Sequence, residues 1–147
     1  METYHILQYS LVGSGVNYLS GDAVDTVKSV TVNGLGGKYI EILDAVLLNA
    51  NASAVNMSVV FFGSVVPTGT FTDNSPVNLN YVADILRGTV TISSFINGTG
   101  AFIAHTGTGI TNRIVYIDSD TFSILNIAQA SGTVNNMQIR ITYKILQ

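Results

Sequence analysis

Apolar and polar residues alternate with a period of two along much of this chain, and this constrains the fold most strongly. The C-terminal segment shows it most clearly, because every second residue is apolar: Met137, Ile139, Ile141, Tyr143 and Ile145. Successive side chains of a strand point to opposite faces, so this segment is predicted to be a half-buried strand. Helical periodicity is almost absent elsewhere, and strands therefore dominate.

Two segments are apolar on both faces. They are residues 38–48, with the sequence KYIEILDAVLL, and the run VVFF at 59–62 inside the strand candidate 55–66. A strand of this kind has to be covered on both sides. The cover is either an inserted helix or a neighbour, and in a small chain a neighbouring subunit is the natural one.

Turn signals separate the strand candidates. Asn33-Gly34 and Asn97-Gly98 favour hairpins, and later Gly- and Asp-containing turns recur at intervals of roughly 8 to 15 residues, which is typical of a sandwich or a barrel. The remaining candidates are residues 3–9, 24–32, 89–96, 101–106, 113–117 and 121–128. The sequence predicts a single all-β domain over residues 1–147.

One segment departs from this pattern. In residues 80–88, NYVADILRG, the apolar residues Val82, Ile85 and Leu86 recur at helical spacing. Asn80 is suited to the N-cap and Gly88 to the position after the last helical residue. We therefore expect a short helix of one to two turns near residues 80–87.

Composition excludes several classes of partner. Only 10% of the residues are charged and 47% are hydrophobic, whereas ordinary domains carry about 25% charged residues, so Thr, Ser, Asn and Gly must form most of the surface. The six Lys and Arg residues are scattered through a chain of net charge −3, which argues against nucleic acid. No run of about 20 apolar residues suggests a membrane span. Cysteine is absent, which excludes disulfides and thiolate metal sites.

The residues that could carry metal or phosphate chemistry are better explained as structural. His5 and His105 have no second ligand at i+2 or i+4, so no metal site is predicted. Asp118-Ser119-Asp120 lacks the continuation of a calcium loop and is interpreted as a turn. The segment 34–38, GLGGK, is followed by Tyr39 rather than Ser or Thr, so it is interpreted as a loop between strands. We expect no cofactor.

Glu41 and Asp44 are the remaining candidates for catalysis, because both interrupt an apolar strand. A glycosidase needs two carboxyl groups that face each other. The two residues are an odd number of positions apart, so a regular strand would point them to opposite faces. We expect one to face solvent and the other to pair with Lys or Arg of this chain or of a neighbouring subunit, and no enzymatic activity is predicted.

Residues 59–92 resemble a segment of small virion proteins of tailed bacteriophages. The matching positions are Thr70, Phe71, Thr72, Asp73, Asn74, Asp84 and Gly88. The resemblance is to capsid decoration (cement) proteins, and it implies an antiparallel β-sandwich of the jelly-roll type without catalytic residues. The chain departs from the family at 81–83, YVA, where a polar Asp, Ser or Thr pair usually precedes the helix Asp.

The function expected from this resemblance is structural. The protein would be made in the host cytoplasm and would lie on the capsid exterior of the virion, bound to the major capsid protein, as a homo-oligomer with a trimer favoured. Two alternatives stay open. One is a host- or carbohydrate-binding module of a head fibre or tail component, with Tyr9, Tyr18 and Tyr116 as candidate exposed tyrosines. The other is a small hydrolase that uses Asp44 or Glu41.

Overall fold

The computed structural model describes residues 3–49, 56–65, 69–79, 86–92, 94–98, 101–105 and 114–146. Within these residues it contains strands and turns and no helix, and none of them belongs to a helix able to cross a membrane. The strands are β1 (Tyr4–Leu11), β2 (Asn17–Tyr18), β3 (Ala23–Thr31), β4 (Lys38–Asn49), β5 (Met57–Phe62), β6 (Gly69–Thr70), β7 (Asn78–Leu79), β8 (Leu86–Ile92), β9 (Ser94–Gly98), β10 (Ala101–His105), β11 (Ile114–Ile117), β12 (Thr121–Ala128), β13 (Gly132–Thr133) and β14 (Met137–Ile145).

The longer strands form two antiparallel sheets. The first sheet has the order β1-β14-β4-β10-β9, and β11 also pairs with β4. β11 lies beside residues 38–41 of β4 and β10 lies beside residues 46–49, so the two share one edge of that strand. The second sheet has the order β3-β12-β5-β8.

The strand order is that of a jelly roll. Without the β9–β10 hairpin and the two-residue strands, the strands in chain order are β1, β3, β4, β5, β8, β11, β12 and β14. The first, eighth, third and sixth of these form one sheet, and the second, seventh, fourth and fifth form the other. Two interlocked Greek keys produce this arrangement. The predicted antiparallel β-sandwich of the jelly-roll type is therefore confirmed.

The main core lies between the inner faces of the two sheets. The first sheet contributes Leu47, Ile139 and Ile141, and the second contributes Phe61 and Phe122, all of them at most 1% exposed. In β14 the residues at odd positions from 137 to 143 are buried and those between them are not, as the alternation in the sequence predicts.

A second apolar cluster lies on the outer face of the second sheet. It contains Ala23, Val60, Phe62 and Leu125, and Phe71 and Val77 of the segment 69–79 pack against it. All six residues of β5 are buried, because Val59 and Phe61 face the main core while Val60 and Phe62 face this second cluster. The two-sided strand β5 is thus covered by the chain itself.

The prediction of a short helix near residues 80–87 is wrong where the structure tests it. Residues 80–85 lie outside the described residues, but Leu86 and Gly88 belong to β8 and pair with Phe62 and Phe61. Strand pairing with a fully buried neighbour outweighs local helical spacing here. Gly88 does not end a helix, and a Cβ on it would lie 2.8 Å from a methyl carbon of Val115, so β8 passes close to β11.

The sequence prediction locates the longer strands well. The candidate 89–96 is divided between β8 and β9, with residue 93 outside the described residues, and the two-residue strands β2, β6, β7 and β13 were not predicted. Each of these short strands lies in a connection that is ordered by pairing with another part of the chain. Sequence periodicity cannot reveal such pairs, because two residues contain no repeat.

Phe62 should be as important for stability as Phe61, although it lies on the outer side of the sandwich. Both side chains are fully buried, so replacing either Phe61 or Phe62 with Ala should cost about 3–5 kcal/mol in the free energy of unfolding. Urea denaturation measures this cost. Val65→Ala, at a side chain that is 58% exposed, is the control and should change stability by about 0.5 kcal/mol or less. A cost below about 1 kcal/mol for Phe62→Ala would contradict the covering role of residues 69–79.

Candidate interaction surface

The side of the first sheet that points away from the core is the candidate surface, and we call it the outer face. The exposed apolar side chains on it are Tyr4, Ile6, Tyr39 and Ile114, each between 50% and 63% exposed. They come from β1, β4 and β11. Cross-strand register connects them, because Tyr4 lies opposite Lys144, Lys144 opposite Glu41, and Glu41 opposite Ile114.

A β-bulge brings Glu41 and Asp44 to the same face of β4. Thr142 pairs with Asp44 while the next residue, Tyr143, pairs with Ile42, so Leu43 is an extra residue in β4. The buried residues of the strand change parity at this point, from 40 and 42 to 45 and 47. The expectation that the two carboxylates point to opposite faces is therefore wrong, because it assumed a regular strand.

The charges on the outer face are balanced. Glu41 forms an ion pair with Lys144 of β14, with 3.3 Å between Oε2 and Nζ. The expected pairing of one carboxylate with a lysine is confirmed, and the lysine comes from the same chain. In the described strands of the first sheet, Asp44 and Arg140 are the other charged residues on this face, and Asp44 also has an interaction partner. The two acidic and two basic side chains of these strands cancel in formal charge.

An aromatic pair lies at one end of the outer face. Tyr39 and Tyr116 are opposite each other in register, and their ring centroids are 4.9 Å apart. The Arg87 guanidinium lies 5.8 Å from the centre of the Tyr116 ring and 3.5 Å from Asp118 Oδ2. Tyr39 is half exposed, so this end of the surface presents one accessible aromatic ring beside a cation.

The glycine-rich loop of residues 34–38 is hydrogen-bonded to Asp120, and Asp118 is bonded elsewhere. The Asp120 carboxylate accepts hydrogen bonds from the backbone N–H groups of Gly36, at 2.7 Å, and Gly34, at 3.2 Å. These bonds lower the pKa of Asp120. The N–H groups that a phosphate would need are thus already bonded to an internal anion. Asp118 accepts instead from Ser64, and no three potential metal ligands converge anywhere in the described residues.

The histidines occupy ordinary strand positions. His5 stacks on Tyr143 of the neighbouring strand, with 5.4 Å between the ring centroids. His105 is the last residue of β10 and pairs with Val46 of β4. The two histidines lie in strands that are not adjacent in the first sheet.

Two of the three tyrosines proposed as exposed ligand contacts point inward. The Tyr9 hydroxyl donates to Asn126 Oδ1 at 3.0 Å, and burial raises its pKa. Tyr18 is completely buried, and its hydroxyl donates to Asp73 Oδ1 at 2.6 Å. Burial and the Asp73 carboxylate raise the pKa of Tyr18. Of the three, only Tyr116 faces the outer surface, and its half-exposed neighbour Tyr39 was not predicted.

Asp73 joins the segment 69–79 to the sandwich. Its Oδ1 accepts from the Tyr18 hydroxyl and also, at 2.7 Å, from the backbone N–H of Asp25.

Asp25 has a left-handed backbone with φ of 64°, which aspartate tolerates better than most residues. Its own carboxylate accepts from Val12 N and Thr26 N and pairs with Lys28 at 2.6 Å. Burial by itself would raise the pKa of Asp25, but the Lys28 ammonium and these backbone donors lower it.

These observations define the protein as a jelly-roll β-sandwich in which residues 69–79 cover the outer side of the second sheet. The outer face of the first sheet carries exposed apolar side chains among charged and neutral polar ones. No protein-family model matches the chain, and no curated protein matches it. A chain of the cryo-EM structure of mud crab dicistrovirus is weakly similar in structure, with 10% identity and a TM-score of 0.34 over 97% of this chain and 67% of that chain. A TM-score of this size does not establish a common fold.

Asp25 should make stability depend on pH in the acid range. Because its pKa in the folded state is lowered, its contribution is present above the unfolded value of about 3.9 and is lost as the pH falls through the folded value. Asp25→Asn tolerates the same backbone but loses the charge, and should cost about 1–3 kcal/mol at pH 7.

Urea denaturation from pH 7 down to pH 2.5 measures this effect. The difference in unfolding free energy between wild type and Asp25→Asn should shrink below about pH 4. Thr26→Ala changes the exposed neighbour and should leave the pH dependence as in the wild type. A difference between wild type and Asp25→Asn that is constant from pH 7 to pH 2.5 would contradict this role of Asp25.

Proposed function

We propose that this chain is a structural virion protein that decorates a bacteriophage capsid and stabilises it through self-association and binding to the major capsid protein. The observation that carries the proposal is the contrast between the two sheets. The second sheet is covered on its outer side by residues 69–79, whereas Tyr4, Ile6, Tyr39 and Ile114 on the outer face of the first sheet remain half exposed or more. Several large apolar side chains exposed on one sheet face, around an ion pair, are a feature that interaction sites share.

The chemistry of the outer face supports a broad protein contact. Its four charges cancel, and the other polar groups include the neutral side chains of Gln8, Gln138 and Thr142. Neutral polar groups exchange water for partner hydrogen bonds at a lower cost than charged groups do.

The segment that carries the resemblance to phage decoration proteins has a structural role in the fold. Asp73 anchors residues 69–79, and Phe71 packs on the second apolar cluster. This supports a non-enzymatic protein without a cofactor or metal. In the proposal it is made in the host cytoplasm and lies on the capsid exterior, and the resemblance favours a trimer.

The alternative is a host- or carbohydrate-binding module of a head fibre or tail component. The observation that favours it is the Tyr39–Tyr116 pair beside Arg87, because sugars stack on exposed aromatic rings next to polar groups. A glycan array separates the two functions. Saturable glycan binding that is lost in Tyr39→Ala would favour the alternative.

Deletion of the gene from the phage that carries it tests the main proposal. Purified wild-type particles should contain the chain as ordered external density in a cryo-EM map. Particles from the deletion mutant should release DNA at a lower temperature, and purified protein added back should restore the wild-type temperature. Wild-type particles without the chain would contradict the proposal.

The outer face should be the surface that binds the particle. Ile114→Asp places a charge at a side chain that is 55% exposed, so it should fold normally and bind deletion-mutant particles at least tenfold more weakly than wild type. Val65→Asp places the same charge at a side chain that is 58% exposed but lies in the loop after β5. Equal binding by the two variants would exclude the outer face as the binding surface.

A further inference from the structure

The sheet edges of the described residues differ in how well they are protected against pairing with another chain. The first sheet ends at β1 on one side and at β9 and β11 on the other, because β10 and β11 share one edge of β4, and the second ends at β3 and β8. An edge strand presents unpaired backbone N–H and C=O groups, and proteins usually block it with charges, bulges or a covering element. The edge without such a block is the one suited to strand pairing.

The edges of the second sheet are blocked. In β3 the three residues 25–27 lie opposite the single residue Leu125 of β12, so the strand bulges there. This bulge contains Asp25, whose backbone is left-handed, and the charged Lys28 follows it. In β8 the extra residue Arg87 interrupts the register with β5. Of the other edges of the first sheet, β9 is only five residues long and β11 only four.

In the part of the chain that the structure describes, the edge at β1 has none of these blocks. β1 is eight residues long and pairs with β14 in eight consecutive positions without a register shift. Its sequence, YHILQYSL, contains no Pro, Lys, Arg, Asp or Glu. No backbone hydrogen bond from another described residue outside β14 reaches it. Tyr4 and Ile6 are also among its most exposed apolar side chains.

We propose that β1 pairs antiparallel with β1 of a second copy of this chain, so that two first sheets join into one continuous sheet. This deepens the proposed self-association by naming its strand and symmetry. A two-fold axis perpendicular to the sheet relates the copies. Residues of the outer face lie opposite residues of the outer face only if the axis passes between the two copies of one residue. An axis at Leu7 pairs residues 4–10 of the two copies, and an axis at Gln8 pairs residues 5–11, so either choice pairs seven residues.

Charge and symmetry identify the occupant as a second copy. β1 carries no formal charge, so two copies meet without repulsion, and β1 itself provides the complementary unblocked edge. A closed trimer through this strand would instead need β1 to pair with a different edge of the next subunit. β3 and β8 are blocked, and β9 and β11 are too short to match the eight residues of β1, so the two-fold pairing is favoured over the trimer that the resemblance suggests.

Two matched variants test the pairing. Gln8 and Gln138 are exposed on the outer face and share one hydrogen bond, from Gln8 Nε2 to Gln138 Oε1 at 2.6 Å. Gln8→Lys and Gln138→Lys each break this bond and add one charge to the same face, but only Gln8→Lys adds it at the edge. Light scattering at about 50 µM should give twice the chain mass of 15.6 kDa for wild type and Gln138→Lys and the monomer mass for Gln8→Lys.

Cysteine cross-linking provides a second measurement that does not depend on a disruptive charge. The chain has no cysteine of its own, and directly opposed strand residues are within disulfide range. Under oxidising conditions Gln8→Cys should cross-link with itself if the axis passes through Gln8. A mixture of Ile6→Cys and Gln8→Cys should cross-link if the axis passes through Leu7. Gln138→Cys should stay uncross-linked.

The outcomes separate this inference from the proposed function. A monomeric or trimeric wild type, a dimeric Gln8→Lys, or the absence of both cross-links would overturn the two-fold pairing. Each of these results is compatible with a chain that still decorates particles. Conversely, a dimer with the expected cross-links, together with particles that lack the chain, would overturn the decoration function and leave the pairing intact.

Discussion

The fold depends on the burial of β5 on both faces. Four consecutive apolar residues, 59–62, leave no side of the strand suited to water. The main core covers one face, and the segment 69–79 covers the other through Phe71 and Val77. This cover is held in place by polar contacts, because Asp73 accepts hydrogen bonds from Tyr18 and from the backbone of Asp25. Backbone hydrogen bonds between residues 74–77 and residues 21–23 hold the same segment in place. The part-buried carboxylate contacts and these backbone bonds together keep the apolar cluster covered.

The first sheet also contains a strand, β4, that is apolar on both faces in sequence, but its outer side is built differently. The bulge at Leu43 directs Glu41 and Asp44 to the outer side, where Lys144 pairs with Glu41. Each Å² of apolar surface removed from water is worth about 25 cal/mol, so a partner that covers Tyr4, Ile6, Tyr39 and Ile114 gains stability. This partner meets Glu41 and Lys144 as an ion pair. The low charge of the chain thus suits a protein that is covered by neighbours.

Much of this architecture is predictable from the sequence, and the failures have physical reasons. Alternation and turn residues locate β4, β12 and β14 closely, because these strands carry their own pattern. The bulge at Leu43 is not predictable, since it exists only in the register between β4 and β14. The start of β8 at Leu86 was missed because pairing with β5 overrides a local helical spacing. Tyr9 and Tyr18 were misplaced because their hydroxyls find internal acceptors.

Amide hydrogen exchange at high and low protein concentration tests most directly the claim that neighbours complete the first sheet. Local protection reports which backbone groups are hydrogen-bonded. At the higher concentration, the amides of β1 that do not bond to β14 should become protected. The amides of the blocked edges β3 and β8 should be unchanged. Unchanged exchange in β1, or new protection in β3 or β8 instead, would contradict the account.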